Sequence, residues 1–281
     1  MTTLTVTAQS PTTRRVRVGR HQVIVDTYGD QGSPVVCLHG IPGWRGTWSQ
    51  VGPRLARRYR VVAPDLLGFG ESDEPIGDFH MRGQAEMILG LLDALDLERA
   101  HLVGFDFGGP VAVTAYRLAP ERVASLTLAN TNLFTDTPIP GPLKIARVPG
   151  LGPVAFRMLS GRTGLSMMWR AAVADPAAFP FAKYESYLRW SAGIRWTGRI
   201  LLASMRDMPR TYRDVEAALP HIRVPTTVIW SDRDPFFAPS VGARTARAIR
   251  GSRLVALTGC GHFVPEERAD AFVTAMEAML A

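Results

Sequence analysis

The stretch "VGFDFGG" (residues 103–109) decides how this chain is read. It joins an apolar, strand-like run to the glycine-rich start of a helical run. Its spacing, Gly104-x-Asp106-x-Gly108, is that of a tight strand-to-helix turn that lifts one side chain above the edge of a sheet. Such a turn demands small residues two positions to either side, which Gly104 and Gly108 supply, while Gly109 lets the helix pack close. The raised residue is an aspartate, where an ester-cleaving turn carries serine. The following helix offers backbone N–H groups and the positive end of its dipole, which complement a carboxylate. Taken alone, the stretch reads equally well as a turn in which Asp106 caps the helix.

The flanks supply the fold. RRVRVGRHQVIVDTYGD (residues 14–30) has the alternation of an antiparallel hairpin at a sheet edge. SPVVCLHG (33–40), YRVVAPD (59–65), AHLVGFD (100–106) and VASLTLAN (123–130) are apolar runs that end at Gly, Asp or Asn, as buried parallel strands do. MRGQAEMILGLLDALDL (81–97) and FGGPVAVTAYRLAP (107–120) carry helical spacing between them. Alternating strands and helices predict an α/β protein with a mostly parallel twisted sheet flanked by helices. The rhythm breaks from Asn132 to Leu219, where a Pro/Gly-rich lead (134–153) opens into helical stretches rich in Met, Trp and Tyr. It resumes with strands VPTTVIWSD (224–232) and SRLVALTG (252–259) and helices over 239–250 and 265–280. The expected organisation is a core domain of residues 1–131 and 220–281 with a helical cap inserted at 132–219.

Composition narrows the function classes. With 281 residues, 46% of them hydrophobic, the chain is long enough for a sizeable core. MTTLTVTAQSPTTRR at the start has no apolar leader, and no apolar run reaches the roughly 18 residues of a membrane span. A cytoplasmic protein without a membrane partner is expected. Cys37 and Cys260 form neither a disulfide framework nor a C-x-x-C pair, and read as small core residues. The net charge of +7 comes from arginines scattered singly, with lysine only at positions 144 and 183, so no nucleic-acid partner is expected.

Four stretches fall at strand ends, where an open parallel sheet places its site. Besides the Asp106 turn there is LHGIPG (38–43), whose Ile41 N–H joins that of Phe107 as a candidate oxyanion hole, with His39 as a structural hydrogen-bonding residue. WSDRDPF (230–236) offers an acid, Asp234, with Asp232 competing because only distance from the strand separates them. GCGHFVPEE (259–267) offers the base, His262. The chain order nucleophile, acid, histidine places these groups side by side over a parallel sheet.

With HGIPG, DLLGFGESD (65–73), GFDFGG, SDRDPF and GCGHFVPEE in this order, the chain resembles the α/β-hydrolases over nearly its whole length. The aspartate places the resemblance near the epoxide hydrolases and haloalkane dehalogenases. It implies an aspartyl alkyl-enzyme ester, formed by displacement at saturated carbon and hydrolysed by water that His262 activates, with Asp234 orienting His262. No metal or organic cofactor is implied. The expected partners are a small hydrophobic substrate and water, with the protein a monomer or homodimer.

The leaving group divides the readings. Dehalogenases hold the halide with N–H donors, typically a tryptophan beside the nucleophile, and here Phe107 has none. The H-G-x-P form and DLLGFG fit the epoxide hydrolases, which makes an epoxide hydrolase giving a diol the preferred reading. A haloalkane dehalogenase is the alternative, and a ligand-binding, isomerase or cyclase member of the fold lies outside hydrolysis. Epoxide hydrolases protonate the alkoxide from cap tyrosines. Residues 150–156 carry no tyrosine and WTGRILLASM (196–205) occupies the later position, so Tyr184, Tyr187 and Tyr212 are the candidate donors. Trp169, Trp190 and Trp196 are candidate halide donors, and Trp44 and Trp48 line the pocket or staple the helix behind the oxyanion loop.

Overall fold

A computed structural model describes residues 10–78, 80–138, 161–190, 198–200, 202–203 and 208–280, with the single positions 144, 148, 151 and 154. The side chains of 188–190 lie outside the described residues, as do Trp196 and most of 139–160.

Every predicted strand forms. β1 (Thr12–Val18) and β2 (His21–Tyr28) make the edge hairpin, followed by β3 (Pro34–Leu38), β4 (Arg60–Pro64), β5 (Ala100–Phe105), β6 (Val123–Ala129), β7 (Thr226–Ser231) and β8 (Arg253–Leu257). They build one sheet in the order β1-β2-β4-β3-β5-β6-β7-β8, antiparallel at the β1–β2 and β2–β4 pairings and parallel elsewhere. The longer described helices are α1 (Met81–Ala94), α2 (Gly108–Leu118), α3 (Arg162–Ala172), α4 (Phe181–Trp190), α5 (Pro239–Ala248) and α6 (Ala269–Leu280).

The apolar runs of the central strands are continuous because both faces of the sheet are covered. Val36, Leu38, Leu102, Leu126 and Leu128 join one core with Ile88 and Leu91 of α1 and Val111 of α2. Val35, Cys37, Val103, Phe105, Ala129 and Ile229 alternate to the other face, against Trp48, Leu55 and Phe272 of α6. Both cysteines are free and buried, as core residues. The helix read over 265–280 differs from expectation: a short turn (Val264–Glu267) precedes α6, and Arg268 breaks between them at φ −140°. Its guanidinium reaches back to the Gly259 carbonyl oxygen at 2.6 Å and to Asp175 at 2.7 Å. No helix among the described residues is long and apolar enough to cross a membrane.

Topology fixes where a site forms. β3 lies between β4 and β5, so the chain leaves β3 in one direction and returns past it in the other. Such a reversal opens a crevice above the carboxyl ends of the strands. Leu38 pairs with Gly104 in register, so the loop after β3 emerges level with Asp106.

A buried cation braces that loop. Arg45 sends Nε to Asp26 at 3.1 Å, Nη1 to Asp65 and Nη2 to Glu71, and its backbone N–H donates to Asp65 Oδ1 at 2.7 Å. Burial pushes the Asp65 carboxyl up to about 6 against the pull of Arg45. Removing one partner of a buried ion pair typically costs about 3–5 kcal/mol. We expect Arg45→Met to lower the unfolding free energy by that order at pH 8 in urea titrations. Near pH 5 the loss should shrink, because a carboxyl with a raised folded-state value takes up a proton and no longer needs the cation. Equal losses at the two pH values would contradict this account.

Candidate active site

Asp106 leaves β5 at φ +51°, in the left-handed region that a non-glycine residue enters only when its surroundings compel it. Those surroundings are explicit. Its N–H donates to the Ala129 carbonyl at 3.1 Å, and its own carbonyl accepts from Thr131 Oγ1 at 2.5 Å and from the Gly109 N–H at 3.1 Å. The three glycines do what the spacing implied. A Cβ on Gly104 would strike the Gly108 backbone, one on Gly108 the Leu38 carbonyl, and one on Gly109 the Thr131 side chain.

The two oxygens of the carboxylate have different neighbours. The Ile41 N–H donates to Asp106 Oδ1 at 2.7 Å. Gly40 is glycine because a Cβ there would lie 2.5 Å from Asp106 Cβ. Asp106 Oδ2 faces His262 Nε2 at 3.6 Å. Of the two candidate oxyanion donors, only Ile41 makes a hydrogen bond to the carboxylate among the described residues. Phe107 stands at the N-terminus of α2, where backbone N–H groups have no acceptor within the helix.

His262 Nδ1 lies 2.9 Å from Asp234 Oδ2. That oxygen also accepts from Asn130 Nδ2 at 2.8 Å, and Asp234 Oδ1 accepts from the Phe236 and Phe237 N–H groups at 2.8 and 3.1 Å. Asp232, the competing acid, is turned away: its N–H donates to the Leu257 carbonyl and its half-exposed carboxylate lies 4.0 Å from Arg233. Burial works against a charged His262, yet Asp234 and Asp106 on either side outweigh it and push the imidazole up to about 10. Phe105, Phe236, Phe237 and Phe263 surround the ring at centroid distances of 5.1, 5.0, 5.7 and 5.1 Å. His39 is wholly buried, with Nδ1 2.9 Å from the Gly40 carbonyl and Nε2 accepting from the Leu66 N–H at 3.0 Å. Burial lowers it to about 4, so it serves as a neutral structural group.

The candidate leaving-group donors divide. Trp169 donates its indole N–H to the Phe179 carbonyl at 2.9 Å. The Tyr187 hydroxyl is hydrogen-bonded to the buried carboxylate of Glu266. Tyr184 is buried among Phe179, Tyr187 and Phe263, and its hydroxyl makes no hydrogen bond among the described residues. Burial raises its ionisation well above the phenol range, which keeps the proton in place. Tyr212 is buried in the core on the side of the sheet that α1 and α2 cover. The Trp44 ring carries the Arg45 guanidinium at 4.9 Å, and Trp48 is buried against Phe272, as a staple. No group of three or more His, Cys, Asp or Glu among the described residues is arranged to hold a metal ion.

The sequence reading did not single out Asn130 or Thr131, which secure the acid and the turn. Asn130 sits at φ +37°, with its side chain bonded to Asp234 and Ser231. The one sequence signal was an Asn at the end of VASLTLAN, level with the ends of β5 and β7.

Comparison with known proteins agrees with the architecture. Residues 33–150 match the family model described as the alpha/beta hydrolase fold. The chain is 29% identical over 279 residues to a 2-hydroxy-6-oxononadienedioate/2-hydroxy-6-oxononatrienedioate hydrolase of Paraburkholderia xenovorans, covering 94% of this chain and 93% of that one. It is 29% identical over 263 residues to a cis-3-alkyl-4-alkyloxetan-2-one decarboxylase of Shewanella oneidensis, covering 87% and 80%. The solved 2-hydroxy-6-oxo-6-phenylhexa-2,4-dienoate hydrolase from Rhodococcus sp. strain RHA1 superposes with a TM-score of 0.82 at 25% identity, over 96% of this chain and 98% of that one. None of these three is named for epoxides or halides, so the aspartyl reading stands on Asp106 itself. By sheet order and similarity, the chain has the α/β-hydrolase fold.

Proposed function

We propose that this protein is a hydrolase acting through an ester on Asp106, with an epoxide as substrate and a diol as product. The observation that carries the reading is the division of labour at the carboxylate: Oδ1 on the Ile41 N–H, Oδ2 facing His262 Nε2 at 3.6 Å. A carboxylate so placed attacks saturated carbon with Oδ2. The ring C–O bond breaks, and the alkoxide takes a proton from a tyrosine. Tyr184 is our candidate, because Tyr187 is engaged by Glu266. Water, deprotonated by His262 Nε2, then attacks Cγ of the ester. Negative charge develops on Oδ1, where Ile41 already donates and the Phe107 N–H is the second donor. Collapse releases the diol, with the second water proton on its new hydroxyl, and leaves His262 as the resting imidazolium, the tyrosinate having been reprotonated from His262 through solvent before the water attack. We read residues 132–219 as the cap, of which Phe179 and Tyr184 lie against Phe263, the neighbour of His262.

A halide reading is weaker, since the Phe107 side chain has no donor and the Trp169 N–H is engaged elsewhere. The Shewanella relative favours one further possibility, a strained four-membered lactone in place of the three-membered ether.

The test is a panel of styrene oxide, aliphatic epoxides, 1-haloalkanes and a dialkyl β-lactone, read as diol, halide and carbon dioxide. Diol formation is the expected result. Halide release alone, or carbon dioxide alone, would replace the epoxide with the corresponding substrate, and inertness to all would overturn the reading.

A further inference from the structure

Two adjacent buried glutamates tie the loop of His262 to the inserted segment. Glu267 accepts hydrogen bonds from the Ala174 and Asp175 N–H groups, both at 2.8 Å, just beyond α3. The same carboxylate accepts from the Gly261 N–H at 3.1 and 3.2 Å, one residue before the histidine. The His262 N–H itself donates to the Ala172 carbonyl at 2.7 Å, and Gly261 has no room for a Cβ because that carbonyl occupies the space. Glu266 grips α4 through Lys183 and Tyr187, and Lys183 Nζ also reaches Ser49 Oγ at 3.2 Å. Both glutamates are about 3% exposed.

A carboxylate with no surface role and three backbone donors fixes the separation of the segments that carry them. Here those segments are the turn after α3 and the loop that aims the imidazole. Asp106 is held independently, by Ile41, Thr131 and Ala129. We propose that Glu267 is a positioning residue for His262, acting on hydrolysis of the ester and not on its formation. The inference rests on the aspartyl-ester reading.

The kinetics of a two-step enzyme separate this role from a merely structural one. If only the second step slows, kcat and KM fall together, kcat/KM is kept, and ester accumulates in the steady state. With styrene oxide as probe, Glu267→Ala should lower kcat about 10- to 100-fold, the scale of a misplacement near 1 Å. Ester should appear on the Asp106 peptide by mass, and Glu267→Gln, which keeps an acceptor oxygen, should recover much of the loss. A fall in kcat/KM without accumulated ester, or no change in kcat, would overturn the proposal. A second measurement needs no substrate: the low-field Nδ1–H proton resonance of His262 in the intact protein. It should shift and exchange faster in Glu267→Ala, with Glu267→Gln closer to the parent, and an unmoved resonance in Glu267→Ala would overturn the proposal too. If His262→Gln forms no ester with the probe, the aspartyl reading fails, and the resonance alone then judges Glu267.

Discussion

Replacing His262 by glutamine should stop the enzyme halfway, with substrate fixed to Asp106. In the proposed mechanism His262 takes no part in the attack, because a carboxylate nucleophile needs no base. Hydrolysis of the ester does need one, and a positioned general base is typically worth about 10²- to 10⁴-fold. The variant should therefore consume about one equivalent of epoxide and then slow by that order. The mass of the adduct identifies the leaving group. An epoxide adds its entire mass to the protein, since ring opening loses no atom, whereas an alkyl halide adds the alkyl group without the halogen. Peptide mapping should find the gain on the fragment containing Asp106. An unmodified protein after incubation with a substrate that the parent turns over would exclude the covalent mechanism.

The same site shows which features of a chain are legible before its structure is known. The Asp106 turn was readable because its requirements are local. Gly104, Gly108 and Gly109 each leave a gap that a neighbour fills, and the three neighbours follow from the strand-to-helix geometry. The parallel strands were readable for a similar reason, since burial on both faces writes an unbroken apolar run. Choosing between Asp232 and Asp234 was beyond local reasoning. It depends on the Asp232 backbone pairing with Leu257 and on Asn130, more than a hundred residues away, presenting an amide to Asp234. Arg45 and Glu267 were equally silent, because one isolated charge carries no sign of its burial or of partners on distant segments. The candidate leaving-group donors belong to a segment whose side chains follow no sheet register. Its tyrosines could be counted in the sequence, but which of them lies bonded to Glu266 could not.

Asp106→Asn is expected to abolish turnover and, in the same protein, to expose how the two steps are ordered. The amide is a poor nucleophile, and loss of a nucleophile costs on the order of 10⁴-fold or more in kcat. The second consequence concerns the imidazole. In the parent, burial disfavours the charge on His262, but Asp234 at 2.9 Å and Asp106 at 3.6 Å overcome it and hold the ring near 10 against an ordinary 6.5. At neutral pH the resting enzyme thus holds an imidazolium between two carboxylates, which is no base at all. Ester formation changes this, because the alkylated Asp106 carries no charge. One of the two anions disappears, the desolvation penalty gains weight, and the ring releases its proton when a base is needed. The asparagine variant mimics that neutralised state. Its His262 should titrate well below the parent value, as followed by NMR of the ring protons across pH 5 to about 11. Stability should follow by linkage. A raised histidine contributes in full below its ordinary value and loses that contribution as pH rises through the folded value. The window in which His262 stabilises the parent therefore runs up to about 10, and in Asp106→Asn its upper edge should move towards neutrality. A histidine that titrates identically in both proteins would show that Asp106 does not govern it, and the ester could not then switch on its own hydrolysis.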